Sequence, residues 1–231
     1  MHRIVWWLIF GNYFKIKSSK MKKLFTIIAL TISFSMNAQL IPVTENGTTG
    51  QRLSTSNEAN HGDIGYNAVD LSNSDSASTT NGATGAASTA MGLATEASGV
   101  ASTAMGAGTE ASKGGSTAMG QFTKASGTVS TAMGLFTEAS GDFSTAMGLF
   151  TEASDFGSLV IGRYNSSGSS VTNSATAFST ANTAFVIGNG TGTGVNVSDA
   201  FKVMFNGDTY VSSSLYLGGT EITSTATELN L

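Results

Sequence analysis

The chain has 231 residues, of which 40% are hydrophobic and only 11% charged, with 28 glycines, one proline and no cysteine. Without thiols there is no disulfide framework and no zinc–thiolate site, and a single proline leaves long strand ladders uninterrupted. The formal net charge is −4, but six of the eleven Lys and Arg and none of the acids precede residue 39, so residues 39–231 carry −10, the wrong sign for nucleic acid or anionic lipid.

Residues 1–20 hold both tryptophans and resemble nothing that follows. They precede a complete export signal, so translation is expected to start at Met21 and to leave 1–20 as a mis-assigned extension. Residues 21–38 form that signal: Met21-Lys22-Lys23, the apolar run Leu24–Phe34, then a small residue before the cut. Cleavage is expected after Ala38. The apolar run has about half of the ~20 residues a membrane helix needs, so no direct membrane span is expected in the mature chain.

Residues 39–82 read as a lead-in. His61 and Asp63 lie in a glycine-rich loop, but two candidate ligands do not make a metal site, and a structural role is expected.

From residue 83 to 168 the chain repeats itself. STAMG opens at Ser88, Ser102, Ser116, Ser130 and Ser144, and SLVIG at Ser158 keeps the fourteen-residue step. TEAS or TKAS opens between them at Thr95, Thr109, Thr123, Thr137 and Thr151. A fixed short period means stacked units that cannot bury a core alone. Fourteen residues lack helical spacing, and as extended chain they span roughly 46 Å, enough for two short strands and two tight turns. The expected fold is therefore all-β, a parallel β-roll of fourteen-residue coils. Glycine recurs at the fifth position (Gly92, Gly106, Gly120, Gly134, Gly148, Gly162), where a positive φ or a close backbone approach is expected.

Alternation assigns the faces. Serine and alanine of STAMG and threonine and alanine of TEAS turn inward. Met91, Met105, Met119, Met133 and Met147, continued by Ile161, then stack along an outer face, and so do Glu96, Glu110, Lys124, Glu138 and Glu152. An exposed apolar stripe marks an interaction surface, so the methionines are expected to line an interface between copies of this chain. The opposite register, with methionine inward, satisfies alternation too. The second column reads as a solvated face that could carry a ligand together with its serines and the loop pairs Leu93-Ala94, Gln121-Phe122, Leu135-Phe136 and Leu149-Phe150.

The SxAxGxxTxASG pattern over residues 83–168 resembles the head repeat of YadA-type trimeric autotransporter adhesins. The resemblance implies a left-handed roll, a homotrimer around a common axis, a place on the surface of a Gram-negative-type bacterium or outside it, and an extracellular protein or glycan as ligand. Within these 231 residues no heptads and no set of amphipathic barrel strands are read, so no counterpart of that family's coiled-coil stalk or membrane barrel is expected in them.

Residues 169–199 form a Ser/Thr/Gly-rich connection in which Ala184–Gly188 (AFVIG) echoes SLVIG. Gly188–Gly194 lacks the lysine of a phosphate loop and reads as a turn. Residues 200–231 alternate around Asn206-Gly207, a hairpin signal. The closing EITSTATELNL resembles phage-tail-fibre-like and surface-fibre sequences in which the motif continues, so a truncated C-terminus is expected.

No enzyme and no cofactor are expected, because His61 is the only histidine after residue 38 and no nucleophile motif accompanies it. A non-catalytic adhesin-like module is the first functional reading. The shaft or receptor-binding part of a trimeric fibre and an ice-binding solenoid are the alternatives.

Overall fold

A computed structural model describes residues 40–212, 214–217 and 219–222, and Pro42 onward forms one compact unit. The expected extension, the export signal and most of the fibre-like ending lie outside the described residues. Three strands come first: β1 (Leu40–Glu45), β2 (Thr48–Leu53) and β3 (Val69–Asn73). Long and short strands then alternate: β4 (Thr89–Leu93), β5 (Glu96–Ala97), β6 (Thr103–Ala107), β7 (Glu110–Ala111), β8 (Thr117–Gln121) and β9 (Lys124–Ala125). The pattern continues with β10 (Thr131–Leu135), β11 (Glu138–Ala139), β12 (Thr145–Leu149), β13 (Glu152–Ala153) and β14 (Leu159–Arg163). After these come β15 (Thr183–Asn189), β16 (Asp199–Met204), β17 (Thr209–Val211), β18 (Leu215–Leu217) and β19 (Thr220–Ile222).

The result is a parallel β-solenoid of about eight turns. The long strands join one twelve-stranded sheet and the short ones a five-stranded sheet. Every step keeps register: Thr131 lies beside Thr145, Met133 beside Met147 and Glu138 beside Glu152. The ladder does not stop at the repeat. β3 pairs in parallel with β4 upstream, and β14 with β15 downstream, although neither β3 nor β15 carries the STAMG phrase.

Small side chains fix the thickness of the roll. Ala90, Ala104, Ala118, Ala132 and Ala146 from the long strands and Ala97, Ala111, Ala125, Ala139 and Ala153 from the short ones are fully buried. Most first-position serines are buried as well and tie down the turn before them: Ser130 Oγ donates to the Gly127 carbonyl at 2.7 Å, and Ser144 Oγ to that of Gly141 at 2.6 Å. Each fifth-position glycine has φ between +100° and +132°, and a Cβ on it would overlap the carbonyl oxygen of the glycine one coil on. Two physical constraints therefore act on one residue type.

Left-handed backbone also occurs where the sequence gives no glycine. Phe122, Phe136, Phe150 and Tyr164 have φ between 45° and 52°, and Ala87, Ala101, Val129 and Phe143 between 54° and 59°. The occasional Gly108, Gly115 and Gly157 at equivalent positions are the visible trace of these turns.

Polar side chains cover both ends of the repeated coils among the described residues. At the start, Asp70 occupies the interior position that alanine holds in the repeats, beside Ala90. Arg52 donates to it from Nε at 3.3 Å, to Glu45 at 2.7 Å and to the Gly62 carbonyl at 2.8 Å. His61 Nδ1 lies 3.1 Å from the same Asp70 carboxylate, and all of Arg52, His61 and Asp70 are buried. At the far end the Asn165 amide imitates one more short strand, accepting from the Glu152 N–H and donating to the Glu152 carbonyl, both at 2.9 Å. Buried Asp155 accepts from the Thr172 and Thr183 N–H groups and pins the connection across the roll. β16 and β17 then turn the long sheet antiparallel, through a turn at Asn206-Gly207.

Candidate functional site

The repeat projects its larger side chains as columns, because parallel in-register coils bring each position above its equivalent at about 4.8 Å. Methionine forms the first column. Met91, Met105 and Met147 are 37%, 39% and 36% exposed, and Met119, Met133 and Ile161 are half-buried on the same face. Beside them the outer threonines Thr89, Thr103, Thr117, Thr131 and Thr145 are also half-buried and make a single file without paired ranks.

The short sheet carries the charged column. Lys124 Nζ pairs with Glu110 at 3.1 Å, and Ser98 Oγ donates to Glu96 at 3.0 Å. Glu138 and Glu152 stack without a cation between them. Glu152, although exposed on one side, is held above the ordinary carboxyl range, first by desolvation against the covering segment and then by the Glu138 charge. Within this column Lys124 neutralises one neighbour only, so the opposite end keeps a like-charge pair.

The loop pairs singled out in the sequence contribute a third column, whose stacking sequence reasoning missed. Phe122, Phe136, Phe150 and Tyr164 stack face to face at centroid distances of 5.0, 4.6 and 4.9 Å, with interplanar angles of 11–15°. Their rings run along the turn between long and short strands, with Phe122 and Phe136 exposed. The signal was present once the units are aligned: the seventh position reads Phe, Phe, Phe, Tyr in successive coils. Offset aromatic contacts of this kind contribute about 0.5–1.5 kcal/mol each beyond burial. That is enough to offset a strained φ of about 1–2 kcal/mol in large part.

His61 and Asp63 do not converge. His61 faces Asp70, while the exposed Asp63 takes a hydrogen bond from the Asn46 amide. Among the described residues no group of three or more His, Cys, Asp and Glu side chains is placed to hold a metal ion, and no helix is long and apolar enough to cross a membrane.

A narrow parallel solenoid whose exterior is built by stacking one phrase defines a repeat-built surface module. The family model of the YadA head domain repeat (2 copies) matches residues 83–109, 111–137 and 125–151. Over residues 83–151 the chain is therefore similar to the YadA head domain repeat. No curated protein and no solved structure matches the chain.

Proposed function

We propose that this protein is an exported, non-catalytic adhesin-like module of the bacterial surface or its surroundings. In this reading three copies associate along the methionine column and turn the charged column outward to meet an extracellular protein or glycan. The observation that carries it is the apolar methionine and aromatic surface left open on a single chain whose own core is already complete. Contiguous exposed apolar surface of several hundred Å² is about the limit for a soluble monomer and marks an interaction face. Similarity to the YadA head domain repeat supports that reading.

The carboxylates of the other face are solvated and repeated at one spacing, which suits many weak contacts acting together. The test is attachment of beads coated with the full chain to immobilised matrix proteins and glycans. Alanine at Glu96, Glu110, Glu138 and Glu152 together is expected to cut retention on at least one surface by about tenfold, as loss of several weak contacts predicts. Unchanged retention on every surface would remove the charged column from the function.

A further inference from the structure

Past the last coil, β16 leaves the roll antiparallel to β15, and β17 folds back on it. With the Ser166–Ser167 turn these strands enclose a cleft of about 340 Å³. That is the small end of the range for ligand sites, ~300–1,000 Å³. The cleft lies off the repeat columns and contains none of the residues assigned a role above.

Its chemistry is unusually balanced. Asp199 is fixed by three donors: the Ser166 N–H and Ser166 Oγ, both at 2.8 Å, and the Ser167 N–H at 2.9 Å. A carboxylate offers roughly four acceptor positions, so about one stays open, already oriented. Lys202 reaches over the Tyr210 ring, 4.1 Å from its centroid, and forms no ion pair among the described residues. Val197 and Val211, 36% and 38% exposed, complete the wall beside the half-exposed Tyr210.

One held anion and one unpaired cation in the same small cleft select against a ligand of single charge, which would be attracted to one and repelled by the other. A neutral polyol meets both, because each hydroxyl can donate to Asp199 and accept from Lys202. The valines and the free part of the tyrosine ring suit the C–H faces of a saturated ring. We propose that the cleft formed by Asp199, Lys202 and Tyr210 binds a neutral pyranose sugar. This site is separate from the columns of the roll, so it adds a second, sugar-directed surface to the attachment reading and does not depend on the charged column.

The test is saturation-transfer NMR on the full chain with the methyl glycosides of glucose, galactose, mannose and N-acetylglucosamine, against glucuronic acid and N-acetylneuraminic acid. At least one neutral glycoside is expected to bind. Its affinity should fall about tenfold or more in Tyr210→Ala and in Lys202→Gln, as loss of a charge-assisted hydrogen bond or a ring contact predicts. Both positions lie on the surface hairpin, and an unchanged circular dichroism spectrum and melting curve would show that the roll persists in the variants. The proposal is overturned if no neutral glycoside binds, if the acidic sugars bind as well or better, or if neutral binding survives both substitutions. Bead attachment that persists while sugar binding is absent would overturn this inference alone. Sugar binding that persists while the glutamate variants leave bead retention unchanged would overturn only the role of the charged column.

Discussion

Thr95, Thr109, Thr123, Thr137 and Thr151 form a file of buried hydroxyls inside the roll with no hydrogen-bond partner among the described residues. An unpaired buried hydroxyl costs about 1–3 kcal/mol, so the isosteric change Thr123→Val is expected to stabilise the fold by about 1 kcal/mol. Urea denaturation checks it, and a loss of stability would mean that the hydroxyl has a partner. At the surface, the raised Glu152 carboxyl makes a second prediction. A carboxyl whose folded pKa is raised above its unfolded value of 4.5 favours the fold when protonated, and that contribution fades as pH rises through the folded value. Glu152→Gln should therefore be slightly more stable than the parent at pH 7 and equal to it below pH 4.5. The difference should be a few tenths of a kcal/mol, because the group keeps part of its surface in water, which screens the effect. Melting curves of the pair across that range decide it, and a variant less stable at neutral pH would contradict the assignment.

At the scale of elements, the coil was legible because three residue types repeat where geometry is least forgiving. Glycine at the fifth position answers both a positive φ and a crowded carbonyl, and alternating small residues answer the narrow interior of the repeated coils, which is built of alanine, serine and threonine. The turns at the seventh and fourteenth positions were not legible, since phenylalanine and valine rarely adopt positive φ and no local rule places them there. At the seventh position stacking between coils, which no single unit contains, offsets that strain in large part. The caps were hidden for a similar reason. Asp70 stands in VDLSN, a stretch without the repeat phrase, and only the register beside Ala90 shows that it replaces an interior alanine. Its partner Arg52 is buried with it, so Arg52→Ala would remove the guanidinium that Asp70 shares with Glu45 and leave the buried carboxylate its two Ser72 donors and His61. A loss of about 3–5 kcal/mol is expected, concentrated at the first coils. Hydrogen exchange would read this as faster exchange in β2 and β3 than in β10. Uniform protection along the roll would show that the cluster is not the cap.

For the molecule as a whole, each coil contacts only its neighbours, and the interior of alanine contributes little per residue, about 0.8 kcal/mol for each buried methyl-sized group. Covered ends and an in-register backbone ladder make the single chain a complete fold, yet its outer face retains an apolar column of five methionines and Ile161. The proposed association along that column would cover the side that the fold leaves open. Sedimentation equilibrium of the full chain is the measurement that addresses this most directly. The account predicts three times the chain mass at micromolar concentration, reduced to the mass of one chain when Met105, Met119 and Met133 are replaced together by glutamate. A folded monomer across the whole concentration range, with those methionines intact, would contradict it.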